Sequence, residues 1–219
     1  MDEAWLCQLA RLARAAHGGS GLEDKHLGAC ACQVRCGDEP VGARANDDRV
    51  DHSLGKQYAR TRHNVGAEAV ELLARRSGES LRTSRDPALV AECTVAGKRV
   101  VLAFPTTYMN ESGQAVSALM RRHHLTDPTQ LIVVHDELDL PPATVRVKVG
   151  GGLAGNNGLR SITQHLHTQD YLRVRIGIGK PPSRERGANH VLSKFSSADR
   201  ALMDVAIEEA ADAVELLLG

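Results

Sequence analysis

The sequence is poor in aromatic residues and carries no excess charge of either sign. Its 219 residues include one Trp, three Tyr and two Phe, and 27 Lys and Arg residues balance 27 Asp and Glu residues. A chain without net positive charge has no overall basic field to attract a polyanion. A nucleic-acid partner would therefore have to be bound by a local basic patch.

Long apolar segments are also missing. No apolar run approaches the 18 or so residues that a membrane-spanning helix needs. The first residues include Asp2 and Glu3 and do not show the basic and then apolar pattern of a secretory signal peptide. We therefore expect a cytoplasmic protein with no membrane partner.

Standard metal-binding motifs are absent, although cysteine is concentrated near the start of the chain. Cys30, Cys32 and Cys36, together with His17 or His26, offer zinc ligands, but their spacing matches no standard zinc motif. Free thiols in a cytosolic protein are the favoured alternative. We expect no metal and no cofactor.

The first fifty residues differ from the rest of the chain. Apolar residues recur at helical spacing from Trp5 to Ala16, and the pattern then gives way to small and polar residues up to about Asp51. This composition predicts a poorly ordered extension over residues 1–50 with one marginal helix. A single domain is expected over residues 51–219.

The most informative stretch of the sequence is residues 131–162. The apolar run Leu131–Val134 predicts a buried strand that stops at His135, followed by the carboxylates Asp136, Glu137 and Asp139. In open α/β sheets, ligands bind at the carboxyl ends of such strands. This pattern favours a functional site at that edge of the sheet.

A second predicted strand, Thr144–Val149, leads into a glycine-rich loop at residues 150–158 and then into a helix. Asn156 and Asn157 lie at the entrance of that helix, and each side chain offers a donor and an acceptor. The loop matches neither the dinucleotide fingerprint nor the phosphate loop of nucleotide hydrolases. The structural alternative is a β-hairpin with a flexible loop and a solvated acidic turn.

A further candidate lies at the start of a predicted helix. Thr61 is placed to cap this helix, so that His63 and Asn64 fall in its first turn. The positive end of a helix dipole disfavours imidazolium, and a neutral imidazole can accept a proton. The alternative is an ordinary surface histidine beside Arg60 and Arg62.

Strands and helices alternate along the rest of the chain. The patterns predict strands around residues 90–95, 99–104 and 172–178, a helix capped by Thr107 or Asn110, and a C-terminal helix over residues 197–218 with Ser197 as its cap. This alternation predicts a single three-layer α/β/α domain around a mixed, largely parallel sheet.

Five motifs occur in order and together resemble the bacterial peptidyl-tRNA hydrolase family over about residues 53–219. They are Tyr-x-x-Thr-Arg-His-Asn at 58–64, Thr-Tyr-Met-Asn-x-Ser-Gly at 107–113, His-Asp-Glu-Leu-Asp-Leu at 135–140, Gly-Gly-Gly-x-x-Gly-x-Asn-Gly-Leu-Arg-Ser at 150–161, and Arg-Val-Arg-Ile-Gly-Ile-Gly-Lys-Pro at 173–181. The resemblance implies hydrolysis, without a metal, of the ester between a nascent peptide and the 3′ adenosine of tRNA.

The resemblance also implies roles for individual residues. The family's catalytic base falls on His63, and its supporting carboxylate falls on Asp136. Its two residues that clamp the tRNA 5′ phosphate fall on Lys148 and Arg175. Its substrate-contacting residues, with Met109 beside them, fall on Tyr58, Tyr108, Asn110 and Asn157. A monomer that binds the acceptor end of peptidyl-tRNA is expected.

The chain departs from the family pattern at its first strand and at three residues. Ser53 stands where the family has an Asn, Asn156 where it has a His, and Phe104 where it usually has a Lys. Residues 43–53 are too polar for the family's buried first strand. We therefore expect that strand position to be empty or poorly filled by residues near Val50.

Three functional hypotheses follow from the sequence. The first is an active hydrolase of peptidyl-tRNA. The second is a degenerate, non-catalytic relative that binds tRNA acceptor ends. The third is a nucleotide- or phosphate-binding α/β protein that uses the glycine-rich loop alone.

Overall fold

The computed structural model describes residues 27–31, 60–181, 183 and 187–219, and for residues 27–31 it describes the backbone. Seven strands form one sheet. They are β1 (Leu27–Ala31), β2 (Arg82–Thr83), β3 (Ala88–Val95), β4 (Lys98–Pro105), β5 (Leu131–Glu137), β6 (Val145–Val149) and β7 (Leu172–Gly177). The helices are α1 (Val65–Arg76), α2 (Ser112–Arg122), α3 (Asn157–Leu166), α4 (Gly187–Leu192) and α5 (Ser197–Leu218). Single 3₁₀ turns lie at Arg62–Asn64, Met109–Glu111 and Pro128–Gln130.

The strand order across the sheet is β2-β3-β4-β1-β5-β7-β6. The four central strands β4, β1, β5 and β7 pair in parallel, whereas β2, β3 and β6 pair antiparallel at the two sides. The predicted mixed sheet is confirmed, with parallel pairing confined to its centre. Parallel central strands bring their carboxyl ends to one edge, which is where the site is built.

Helices cover both faces of the sheet, so the predicted three-layer architecture is confirmed. On one face, α1 and α5 pack against alternate residues of the strands, including Ile132, Val134 and Val174. On the other face, α2 and α3 enclose a second cluster that includes Val133 and Tyr171. Because side chains alternate along a strand, neighbouring residues of β5 pack on opposite faces of the sheet.

The expectation of an empty first-strand position is wrong. β1, from Leu27 to Ala31, lies between β4 and β5 and pairs in parallel with both. Its sequence, Leu-Gly-Ala-Cys-Ala, has no β-branched or aromatic residue and therefore gives little strand signal. The residues near Val50 lie outside the described residues. The division into an extension at residues 1–50 and a domain at 51–219 stays a prediction, with β1 as the part of residues 1–50 that belongs to the sheet.

Two expectations for the central stretch are corrected. β5 does not stop at His135 but continues through Glu137, so Asp136 is a strand residue whose side-chain direction is set by the pleat. The alternative of a β-hairpin is wrong, because β7 lies between β5 and β6 in the sheet. The predicted strands around residues 90–95, 99–104 and 172–178 are confirmed as β3, β4 and β7.

The predicted helix caps are less accurate than the helices themselves. Thr61 precedes the 3₁₀ turn before α1, but its side chain forms no capping hydrogen bond. The N-cap of α2 is Glu111, and neither Thr107 nor Asn110 occupies that position. The N-cap of α5 is Ser196, one residue before the predicted Ser197, and its hydroxyl accepts a hydrogen bond from the Asp199 N–H.

Candidate active site

His63 and Asp136 meet at the carboxyl edge of the central strands. The His63 Nδ1 atom lies 3.0 Å from Asp136 Oδ2, and the side chains are only 4% and 6% exposed. The approach is within ion-pair distance but is not aligned as a hydrogen bond. Catalytic hydrogen bonds are often poorly aligned before substrate binds. Among the described residues, neither His63 Nε2 nor Asp136 Oδ1 has a hydrogen-bond partner.

Close packing of α1 on β5 brings the two side chains together. Gly66 lies in the first turn of α1, and a Cβ atom there would lie 2.6 Å from the carbonyl oxygen of Val134. Only glycine permits this approach, because that contact is with backbone that cannot swing aside. The 3₁₀ turn that carries His63 is thereby held against the end of β5, which carries Asp136.

Arg62 anchors the same turn from the other side. Its guanidinium donates hydrogen bonds to Ser193 Oγ at 2.6 Å and to the Lys194 carbonyl at 2.7 Å. It also lies 4.8 Å from the centroid of the Phe195 ring, within the range of a cation–π contact. The alternative of an ordinary surface histidine beside Arg60 and Arg62 is wrong, because His63 is buried.

The residues on either side of Asp136 face the opposite side of the sheet. His135 is buried, and its Nδ1 atom lies 2.7 Å from the Asp136 carbonyl oxygen. Burial lowers the pKa of His135, so its imidazole is neutral at pH 7. The buried Glu137 lies 3.7 Å from the Arg175 guanidinium. β5 thus presents one carboxylate toward α1 and another toward the basic residues of β7.

Those basic residues form a cluster on one face of β6 and β7. Arg146 is the cross-strand partner of Arg175, and Lys148 is the partner of Arg173. Arg173 is 2% exposed and donates hydrogen bonds to the carbonyl oxygens of three consecutive glycines, at positions 150–152. Arg173 belongs to a sequence motif, but its role was not predicted. The alternation of basic residues along β6 and β7 is the sequence signal that indicates a shared basic face and could have pointed to Arg173.

The remaining predicted site residues line the neighbouring surface. Tyr108 is 61% exposed, Met109 is buried, and Asn110 is exposed on the 3₁₀ turn Met109–Glu111, which packs against α3. Asn157 is the first residue of α3 and is exposed, whereas Asn156 is its N-cap and accepts a hydrogen bond from the Leu159 N–H at 3.0 Å. The predicted pair of asparagines at the helix entrance is confirmed.

Tyr58 and Ser53 lie outside the described residues, as do the side chains of Cys30, Cys32 and Cys36. Within the part of the chain that the structure describes, no group of three or more His, Cys, Asp or Glu side chains could hold a metal ion. None of the helices described is long and apolar enough to cross a membrane.

A cavity of about 570 Å³ lies away from this site. It is lined by the first residues of β4, such as Arg99, and by residues that precede β5, such as His124 and Asp127. These positions are at the amino ends of the parallel strands, whereas His63 and Asp136 are at the carboxyl edge. The cavity is therefore separate from the candidate active site.

Comparison with known proteins identifies close relatives. Residues 53–219 match the family model described as peptidyl-tRNA hydrolase. The chain is 51% identical to the peptidyl-tRNA hydrolase of Frankia alni over 75% of this chain and 83% of that protein. It is 52% identical to that of Rhodococcus erythropolis over 75% of this chain and 86% of that protein. A crystal structure of the Acinetobacter baumannii peptidyl-tRNA hydrolase superposes with a TM-score of 0.74 at 35% identity, covering 90% of this chain and 91% of that one.

Proposed function

The chain belongs to the peptidyl-tRNA hydrolase family, and we propose that it hydrolyses the ester bond between a peptide, or an N-blocked amino acid, and the 3′ end of tRNA. The observation that carries this proposal is the buried contact between His63 and Asp136 at the carboxyl edge of the central strands. A non-catalytic relative that only binds tRNA is not favoured, because the relatives that are about 50% identical are named as hydrolases.

In the proposed mechanism, His63 is the general base. The Asp136 carboxylate lies beside Nδ1, so it favours the tautomer with the proton on that nitrogen. Nε2 is then free to take a proton from the attacking water. The water oxygen bonds to the ester carbonyl carbon, the bond to the ribose 3′ oxygen breaks, and the proton passes from Nε2 to that leaving oxygen, which becomes the 3′ hydroxyl. The products are tRNA and a free peptide carboxylic acid, which ionises by releasing its proton to solvent.

Amide and aromatic side chains are proposed to hold the acceptor end. Asn110 and Asn157 are exposed on neighbouring elements, and their amide groups can donate to the ester carbonyl as negative charge develops on it. Tyr108 is exposed and Met109 is buried beside it, an arrangement that suits an apolar wall for the substrate. Tyr58 is assigned to substrate binding by the family resemblance. The protein is proposed to act as a cytoplasmic monomer.

Lys148 and Arg175 are proposed to bind the 5′ phosphate of the tRNA. Both lie on the basic face of β6 and β7, and Arg175 is held in place by Glu137 at 3.7 Å. This face supplies the local basic patch that a chain with zero net charge requires. Positive groups at fixed positions contribute affinity that falls as salt concentration rises.

The proposed reaction is tested by single-turnover release of an N-blocked aminoacyl group from tRNA. The parent protein is expected to release the group without added metal and in the presence of a chelator. Tight tRNA binding with no release would instead support the non-catalytic relative. Binding of a free nucleotide or phosphate, with no dependence on tRNA, would support the phosphate-binding alternative.

Replacing Asp136 with Asn should slow catalysis by up to about 10²-fold, the size expected for a misplaced catalytic group. We expect a smaller loss than for removal of His63, because Asp136→Asn disturbs the orientation of the base but leaves it present. The measurement is kcat on a short N-blocked aminoacyl ester, with little change in KM. Asp139→Asn is the matched control, because Asp139 is an exposed carboxylate in the turn that follows β5. Parental activity in Asp136→Asn would make Asp136 a structural residue.

Replacing Lys148 or Arg175 with Ala should weaken tRNA binding selectively. Each substitution removes one proposed phosphate contact, so the slope of log K against log salt should fall by about one. Turnover of a short ester that lacks the tRNA body should stay near the parental value. Arg99→Ala, at the opposite edge of the sheet, serves as the control. Equal losses on tRNA and on the short ester would indicate misfolding and contradict a phosphate site.

A further inference from the structure

Arg173 is a buried cation whose hydrogen-bond partners are backbone carbonyls and not a carboxylate. Its side chain forms no ion pair with a described carboxylate; its guanidinium donates instead to the carbonyl oxygens of Gly150, Gly151 and Gly152. Burial lowers the pKa of Arg173, which reflects the cost of holding this charge away from water. Glu137 offsets part of this cost through its charge but forms no ion pair with Arg173, so the carbonyl oxygens of the loop supply the direct contacts to the guanidinium.

The three hydrogen bonds fix the direction of the loop's peptide groups. In a trans peptide, the C=O of one residue and the N–H of the next point in opposite directions. Because the carbonyls of Gly150, Gly151 and Gly152 point toward Arg173, the N–H groups of Gly151, Gly152 and Leu153 point away from it. None of these three N–H groups forms a hydrogen bond within the described parts of the chain. Gly151 and Gly152 are exposed.

Lys148 lies beside the same loop. A Cβ atom on Gly151 would lie 2.8 Å from Lys148 Cε, 3.0 Å from Lys148 Nζ and 3.8 Å from Arg173 Nη2. Gly151 also has a φ of +81°, which favours glycine independently of the available space. The Lys148 ammonium is therefore seated against the backbone that Arg173 orients. Successive outward N–H groups beside a cation are an anion-binding arrangement.

We propose that Arg173 is a positioning residue that turns the glycine-rich loop into a phosphate-binding surface, with the N–H groups of residues 151–153 and the Lys148 ammonium as the donors. The ligand class is a phosphate monoester at the 5′ end of an RNA. The inference rests on the proposed function, in which Lys148 binds that phosphate. It adds the backbone donors and the residue that aims them.

The test compares hydrolysis of peptidyl-tRNA with and without its 5′ phosphate. In Arg173→Met, the advantage in kcat/KM that the 5′ phosphate gives should fall by about tenfold, the size expected for one charge-assisted hydrogen bond. The loss should lie in KM, and turnover of a short N-blocked aminoacyl ester should stay within about twofold of the parent. Arg173→Lys should recover part of the advantage, because an ammonium can donate to some of the three carbonyls.

If Arg173→Met does not fold, a matched pair of glycine variants still tests whether the glycine-rich loop binds the 5′ phosphate. Gly151→Ala and Gly155→Ala both place a side chain at positive φ in the same loop, but a Cβ on Gly155 would have nothing within 4 Å. Only Gly151→Ala presses on Lys148, so only it should lose the 5′ phosphate advantage. Equal behaviour of the two glycine variants, or a folded Arg173→Met that keeps the full advantage, would overturn the proposal.

The outcomes also separate this proposal from the function on which it rests. If Lys148→Met loses the 5′ phosphate advantage while Arg173→Met and Gly151→Ala keep it, the phosphate site stands and the role of Arg173 is refuted. If the parent protein hydrolyses tRNA with and without the 5′ phosphate equally well, both the clamp and the role of Arg173 are refuted. Absence of hydrolysis in the parent would refute the proposed reaction itself.

Discussion

His63→Asn is expected to lower turnover of peptidyl-tRNA by about 10²–10⁴-fold, the range that positioned general-base catalysis contributes. The substitution removes the Nε2 atom that is proposed to take the proton from water, while the fold around α1 keeps its packing through Gly66. Because His63 is not part of the basic face of β6 and β7, tRNA affinity should change little. The measurement is single-turnover hydrolysis at saturating enzyme, with affinity measured separately.

His124→Asn provides the matched control for this prediction. His124 is exposed, lines the cavity at the opposite edge of the sheet, and has a φ of +56°, a conformation that asparagine tolerates well. This variant should keep parental activity. If His63→Asn also kept it, His63 would not be the base. A loss of tRNA affinity as large as the loss of turnover would place His63 in binding and not in proton transfer.

The proposed catalytic pair could be predicted from the sequence because the family motifs include both residues and because each lies at a recognisable junction. His63 comes at the start of a helix with clear apolar spacing, and Asp136 comes where an apolar run ends. What the sequence did not reveal is how the two approach each other. That approach depends on the contact of Gly66 with the Val134 carbonyl, a packing detail between elements that are far apart in the chain.

The burial of Arg173 and the role proposed for it could not be predicted from the sequence, for a related reason. A basic residue in a strand pattern ordinarily indicates a solvent-facing position. The structure places the glycine-rich loop against the face of β7 that carries Arg173, which is buried and donates to the loop carbonyls. Arg175 lies on the same face of β7 and is only partly buried. The packing of a loop against one position of the strand, which local patterns do not encode, decides between these two environments.

The first strand, β1, shows most clearly that strand propensity alone does not locate every strand. Residues 27–31 lack the β-branched and aromatic residues by which strands are recognised. The position of β1 in the sheet depends on its pairing with β4 and β5, the strands on either side of it. The backbone hydrogen bonds that β1 makes with these two strands hold it in the sheet, although its own sequence does not predict a strand.

Ala29→Pro is expected to destabilise the protein strongly, because β1 occupies the centre of the sheet. Ala29 pairs with Leu102 of β4 and with Ile132 of β5, and proline within a central strand removes a ladder hydrogen bond. A cost of roughly 3 kcal/mol lies in the upper part of the range for single substitutions. For a domain of this size it lowers the melting temperature by about 6–12 °C.

Leu27→Pro is the matched control, because Leu27 is the first residue of β1, and the register pairs it with Val100 of β4 but with no residue of β5. Proline is tolerated at the first position of a strand, so Leu27→Pro should melt close to the parent. Hydrolysis should follow stability, since β1 supports β5 and β5 carries Asp136. If Ala29→Pro melts and hydrolyses substrate like the parent, residues 27–31 do not form the central strand, and another segment of the chain must fill the space between β4 and β5.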